Sequence, residues 1–139
     1  NFGTPQRNVN GFDFKRLAML LAVLEKRIGT HMGTKDVFIN LVGGLKIDDP
    51  AADLAVISAV ASSSRDKLIK ESVVLIGEVG LGGEVRSVSR LKERINEAKS
   101  LGFKSVIAPA ANLKRMKDRI KGVDITGVTN VGEVFHHLF

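Results

Sequence analysis

The segment 49–63, DPAADLAVISAVASS, constrains the fold more than any other part of this chain. Asp49 can accept a hydrogen bond from a first-turn N–H, Pro50 suits the first helical position, and Asp53 lies near the positive end of the helix dipole. After Asp53 the segment is apolar on nearly all sides, and such a helix must lie under other elements. The sequence therefore predicts a buried central helix and a layered fold around it.

Patterns typical of helices and strands alternate along the rest of the chain. We predict a helix from Asp13 to Gly29 and a second one from a cap at Ser89 to Gly102. The apolar stripe of the second helix consists of Leu91, Ile95, Ala98 and Leu101. A basic helix over 112–122 and a closing helix over 130–139 follow. Strands are predicted at 36–44, 104–109 and 123–128, with a hairpin around Gly80, Gly82 and Gly83.

The predicted element order, αβαββαβαβα, mixes helices with a partly parallel sheet and favours an α/β (α+β) sandwich. With 139 residues the chain is long enough for one domain with its own core. Residues 1–12 contain glycine, proline and asparagine and are predicted to be a linker or extended lead-in. Residues 13–139 are predicted to form the single domain.

Composition narrows the class of protein and of partner. No apolar run approaches the length of about 20 residues that a membrane-spanning helix needs. There is no apolar signal core and no cysteine, which favours a cytoplasmic location. The net charge of +6 favours anionic partners. Because Trp and Tyr are absent, contact with nucleic acid would be made mainly to phosphates.

Most candidate chemistry has a simpler explanation. The glycines of GEVGLGGEV match no phosphate-binding loop, and the three histidines show no metal-ligand spacing. Asp48 and Asp49 are better explained as caps than as an acid and base. Arg94 lies on the shoulder of its helix's apolar stripe and points either toward a cleft or into solvent. A further set of basic residues could contact phosphate, but ordinary solvation of a protein surface explains their presence equally well. They are Lys92, Lys99, Lys114, Arg115, Lys117, Arg119 and Lys121.

Long ordered blocks of the sequence carry a resemblance to a known family. The blocks are FDFKRLAMLLAVLEKR, DVFINLVGGLKIDDPAADLAV, ASSSRD and GEVGLGGEVRSVSRLKERINEAKSLGFK. They resemble the C-terminal domain of the RadA (Sms) family of bacterial DNA-repair proteins. That domain is similar to the Lon proteolytic domain, whose fold is similar to the second domain of ribosomal protein S5. The resemblance implies that the chain is the C-terminal part of a longer protein.

The same resemblance indicates lost chemistry. Lon-type proteases carry D-G-P-S-A-G, whose serine is the nucleophile, and this chain has DDPAAD with Ala51 at that position. The lysine that serves as general base in Lon is matched by Arg94, and Lys92 matches a noncatalytic lysine. A methyl group offers no nucleophilic oxygen. A guanidinium stays protonated at any relevant pH, so it cannot act as the base. We therefore expect no catalytic residue in this domain.

The resemblance also implies partners. The full-length proteins are expected to be ATPases that use ATP, Mg and Zn, form hexameric rings and promote branch migration, with RecA as a candidate partner. This segment is expected to hold no cofactor or metal and to contact single-stranded or branched DNA but no membrane. The DNA-binding candidates are Arg65, Arg86, Arg90, Lys92 and Arg94. Two alternatives stay open, namely an oligomerisation module without DNA contact and a residual serine peptidase.

Overall fold

The computed structural model describes residues 4–41, 47–70 and 72–139. The helices are α1 (Phe14–Val23), α2 (Asp53–Arg65), α3 (Leu91–Ser100), α4 (Ala110–Arg115) and α5 (Val131–Leu138). The strands are β1 (Arg7–Asn10), β2 (Val37–Asn40), β3 (Val73–Leu75), β4 (Glu78–Val79), β5 (Val85–Arg86), β6 (Ser105–Pro109) and β7 (Asp124–Val128). No helix within these described ranges is long and apolar enough to cross a membrane.

The main sheet has the order β3-β6-β7, and both pairings are parallel. Val106 of the central strand pairs with Val74 on one side and with Ile125 on the other. Residues 106–109 are buried, as expected for a parallel strand covered on both faces. This sheet confirms the predicted α/β architecture.

Residues 7–10, predicted to lie in a linker or lead-in, form a strand in the structure. Strand β1 pairs in parallel with β2, with Arg7 opposite Val37 and Asn10 opposite Asn40. The Gln6 backbone N–H donates to Asp36 Oδ1 at 2.7 Å and supports the same pairing. Pairing and half-burial of alternate residues outweigh the low strand propensity of asparagine here. The predicted strand over 36–44 is confirmed at β2, but its double glycine lies outside the described residues.

The helix predicted from Asp13 to Gly29 is confirmed, and α1 forms its first part. The Asp13 carboxylate accepts from the Arg16 backbone N–H at 3.3 Å, which caps the first turn. The helix continues through a π-helical turn, Leu24–Ile28, to Gly29, whose φ of 81° ends it. Its apolar face contributes Leu17, Leu20, Val23 and Leu24 to the core, and all four side chains are almost fully buried.

The predicted hairpin is confirmed around its glycines, but the extended segment before them, residues 73–79, is divided between two sheets. Residues 73–75 pair with β6 in the main sheet, and only residues 78–79 pair with β5. The turn is closed by hydrogen bonds from the Gly80 N–H to the Glu84 carbonyl and from the Gly83 N–H to the Gly80 carbonyl, both 2.9 Å. Gly83 has a φ of 83°, which a residue without a side chain adopts without strain.

Helix α2 is less covered than the sequence predicts. Leu54, Ile57 and Ala61 are fully buried in the larger of two apolar clusters, against α1, the hairpin and α5. Ala55 and Ala59, on another side of the helix, are exposed. The expectation of cover on nearly all sides is therefore wrong. Alanine leaves little apolar area to bury, so this side lies open at a small free-energy cost.

Two further details differ from the prediction. Helix α3 is preceded by Arg90 in the left-handed conformation, with no side-chain cap, so the predicted cap at Ser89 is wrong. Leu101, predicted in the apolar stripe, lies just beyond the end of α3 at Ser100 and is 68% exposed. The predicted basic helix over 112–122 is shorter than expected: α4 ends at Arg115, and Met116 is extended.

Candidate functional site

A cleft of about 820 Å³ lies between the start of α2, strand β3 and one side of α3. Its apolar part includes Val74 and Leu75 of β3, whose edge away from β6 has no partner strand among the described residues. Its charged side comes from α3 and the residue before it, where Arg90, Glu93, Arg94 and Glu97 lie on one face. The cleft is thus a largely apolar depression with a charged rim.

The first turn at the start of α2 fixes Ala51 at this cleft. Asp49 Oδ1 accepts from the Ala51 backbone N–H at 3.0 Å, which confirms the predicted cap. The Ala51 carbonyl accepts from the Gly77 N–H at 3.0 Å and ties the turn to the segment after β3. Ala51 is only 6% exposed, and its side chain is a methyl group. At this position the cleft offers an apolar surface and no hydroxyl.

Arg94 turns toward the cleft, as one of the two sequence interpretations predicted. Its Nη1 donates to Asp49 Oδ2 at 2.6 Å, and its Nε donates to the Ser89 carbonyl at 2.8 Å. The Ala51 N–H, and after it the Arg94 guanidinium, hold the pKa of Asp49 below its usual range. One carboxylate therefore links the helix start to the arginine, and it keeps the positions of Ala51 and Arg94 close together.

The described residues that line the cleft include no serine, threonine, cysteine, histidine or lysine. Ser58 is fully buried in α2 and does not line the cleft, and its Oγ has no hydrogen-bond partner among residues 4–41, 47–70 and 72–139. The Ser62 Oγ donates to the Lys67 carbonyl at the far end of the helix. Within the described part of the chain, neither hydroxyl is placed for nucleophilic attack in this cleft.

The structure adds a buried ion pair that the sequence analysis missed. Asp53, fully buried, accepts from Arg16 Nε at 2.8 Å, from Arg16 Nη2, and from the Val79 N–H at 3.1 Å. The hydrogen bond to Asp53 raises the pKa of the Arg16 guanidinium. The position of Asp53 in the sequence indicates a role at the helix dipole only. A carboxylate in an otherwise buried apolar helix needs a partner, and this was the signal available.

The five predicted DNA-binding residues do not form one cluster. Arg90 and Arg94 both line the cleft, and each is paired with a carboxylate, Glu93 or Asp49. The other three do not line the cleft. Arg86 pairs with Glu84 beside the hairpin, and Arg65 lies 5.1 Å and 5.3 Å from the ring centroids of Phe135 and Phe139. Lys92 projects from the other flank of α3.

Comparison with known proteins identifies the domain. The model of the Lon protease (S16) C-terminal proteolytic domain matches residues 23–139. The chain belongs to this family. The start of α2, the cleft and α3 all lie within the matched part of this Lon-family domain. The expectation of a Lon-like fold is thereby confirmed.

The Lon-family domain also has relatives named DNA repair protein RadA. It is 47% identical over 133 residues to the protein of Bacillus subtilis (strain 168), covering 96% of this chain and 29% of the relative. It is 44% identical over 138 residues to that of Streptococcus pyogenes serotype M1, covering 99% and 30%. It is 48% identical over 113 residues to that of Halalkalibacterium halodurans, covering 81% and 25%. These matches confirm the predicted resemblance to the RadA family, and the chain spans less than a third of each relative.

Proposed function

We propose that this Lon-family chain is a noncatalytic scaffold domain that engages DNA within a RadA-type DNA-repair protein. The names of its relatives support the repair role. For the whole protein we propose ATP-dependent branch migration in homologous recombination, with a hexameric ring, and with ATP, Mg and Zn bound outside these residues. We further propose RecA as a partner and the cytoplasm as the location. Each of these rests on the predicted family resemblance.

The observation that carries the noncatalytic assignment is the pairing of Arg94 with Asp49 beside the Ala51 methyl group. Hydrolysis by a serine–lysine dyad needs a hydroxyl and an amine that gives up its proton near neutral pH. Ala51 has no hydroxyl, and a guanidinium engaged with a carboxylate stays charged. The two positions that matter for this chemistry hold groups that neither attack a carbonyl nor accept a proton.

The rival peptidase function is tested by incubating the purified chain with an unfolded protein substrate and following peptide release by mass spectrometry. We expect no release above a buffer control. The substitution Glu97→Gln, on the charged rim of the cleft, serves as a matched variant. Cleavage that copurifies with the chain through every chromatographic step, and that changes in this variant, would overturn the noncatalytic assignment.

The rival of a pure oligomerisation module is tested by two measurements on the same preparation. Sizing by light scattering gives the association state, and fluorescence anisotropy with labelled single-stranded, forked and duplex DNA gives the binding constant at a series of KCl concentrations. We expect binding that weakens steeply as salt rises, because phosphate contacts release counterions. Association without any DNA binding at low salt would favour the oligomerisation module and reject the DNA-engaging role.

A further inference from the structure

A second group of cations lies away from the cleft, on α3, on α4 and on the segment 116–121 that follows α4. We call it the α3–α4 basic surface. All of its members are exposed in the structure. They are Lys92, Lys99, Lys114, Arg115, Lys117, Arg119 and Lys121.

Helical geometry places the two lysines of α3 on the flank opposite to the cleft. At 100° per residue, Lys92 and Lys99 point within about 20° of each other, whereas Arg90 and Arg94 point to the other side. The Lys99 side chain reaches the turn after the segment 116–121: its Nζ lies 3.3 Å from where a Cβ on Gly122 would be. Lys99 therefore borders the segment 116–121, and Lys92 lies on the same flank of α3.

The segment 116–121 is held with its cations outward. Met116 and Ile120 are partly buried against the smaller apolar cluster, which contains Leu91, Ile95 and Ala98 of α3. The residues between and after these anchors are exposed, among them three cations, Lys117, Arg119 and Lys121, and one carboxylate, Asp118. Because Met116 and Ile120 anchor the backbone, the three cations are presented from a fixed position on the domain.

Ion pairing separates this surface from three of the predicted DNA-binding arginines. Arg86, Arg90 and Arg94 each bind a carboxylate, at 2.9, 3.0 and 2.6 Å. Among the residues that the structure describes, no member of the α3–α4 basic surface takes part in an ion pair. Arg115 donates to the neutral Ser87 Oγ. A phosphate that meets this surface displaces no internal carboxylate, whereas one that meets the cleft arginines must compete with one.

We propose that the α3–α4 basic surface, and not the cleft arginines, is the main phosphate-binding surface of this domain, with the DNA backbone as its ligand. This rests on the proposed DNA-engaging function and gives it a location. Residues 110–124 include no aromatic side chain, so the surface offers no platform for stacking bases. Binding here is therefore to phosphates and independent of base sequence. Of the predicted DNA-binding residues, only Lys92 belongs to this surface.

The test compares three variants of the 139-residue chain. The first carries Lys117→Gln, Arg119→Gln and Lys121→Gln. A matched control, Lys15→Gln with Lys67→Gln and Lys70→Gln, removes the same three charges from exposed positions on other parts of the fold. The third variant, Arg90→Gln with Arg94→Gln, removes the two arginines that line the cleft. Anisotropy titrations with a labelled duplex over a series of KCl concentrations give the salt slope, which is the steepness with which the logarithm of the binding constant falls against the logarithm of the KCl concentration. Thermal unfolding checks that each variant is folded.

We expect the first variant to bind at least about tenfold more weakly at low salt, with a salt slope lower by about two to three, because each phosphate contact contributes about 0.9 to the slope. The matched control and the arginine variant should change the slope by less than about one. Equal slopes in the first variant and the control, with DNA binding intact, would reject this location but leave the proposed function standing. If the unmodified chain binds no DNA, the proposed function fails instead. A larger loss in the arginine variant would assign binding to the cleft side.

Discussion

The buried pair between Arg16 and Asp53 gives the sharpest prediction for stability. Replacing Arg16 by methionine keeps most of the side-chain volume and leaves the fully buried Asp53 carboxylate with the Val79 N–H as its one remaining partner among the described residues. Breaking a buried pair in this way costs about 3–5 kcal/mol. The Arg16 side chain is 29% exposed, so water reaches part of the site, and we expect a loss of about 3 kcal/mol, at the lower end of that range.

Urea unfolding followed by circular dichroism measures this loss. With a slope of about 2 kcal/mol/M, the midpoint should fall by about 1.5 M. The control Lys15→Met, at an exposed position on the same helix, should stay within about 0.5 kcal/mol of the unmodified chain. Asp53→Asn should cost less than Arg16→Met, because the arginine can turn toward Glu78, 3.9 Å away, and toward solvent.

The double variant Arg16→Met with Asp53→Asn completes a thermodynamic cycle. If the two side chains stabilise the fold through their mutual contact, the double variant loses less than the sum of the single losses, by about 1–3 kcal/mol. Strictly additive losses, or a loss below about 1 kcal/mol for Arg16→Met, would show that the pair does not join α1 to α2 as the structure describes.

Two further predictions concern the cleft and the helix beside it. The Asp49 carboxylate should titrate below the ordinary aspartate pKa of about 3.9. In Arg94→Gln this pKa should rise only partway toward the ordinary value, because the Ala51 N–H still donates to the carboxylate. Carbon-13 NMR of the carboxyl group measures both pKa values, and an unchanged pKa in the variant would contradict the Arg94 contact. Since this pKa is lowered in the folded state, the associated stability is present above the unfolded pKa and is lost as pH falls through the folded one. Ile95→Ala should cost about 2–5 kcal/mol in urea unfolding, because the side chain is fully buried, whereas Leu101→Ala should cost less than about 0.5 kcal/mol; equal losses would contradict the described end of α3.

Local patterns predicted most of the elements because the determinants lie close together in sequence. Asp13 and Gly29 bound the first helix through contacts within a few residues, and Asn130 caps α5 through the Glu133 N–H. The strands β6 and β7 were recognisable as short apolar or β-branched runs between turns. The cap at Asp49 was predictable for the same reason, since its carboxylate bonds an N–H only two residues away.

The features that the sequence could not supply depend on partners far along the chain. Arg16 and Asp53 are 37 residues apart, and no periodicity links them. Strand β1 depends on its pairing with β2, and the division of residues 73–79 depends on β6 offering a parallel edge. The sequence also does not show which arginines are paired with a carboxylate. Arg94 and Asp49, for example, are 45 residues apart. Because such arginines are already paired, the cations of the α3–α4 basic surface, which have no ion pair among the described residues, are the better candidates for phosphate contact.

Strand β6 is hydrogen-bonded on one side to β3, which precedes it, and on the other to β7, which follows it. During synthesis on the ribosome, the apolar residues of β3 emerge before their partner strand β6. The main sheet is completed only when β7 has also left the exit tunnel. The nascent chain therefore carries β3 without its partner strand for the time needed to translate α3 and β6, and during this interval its apolar residues can pair with the wrong segment.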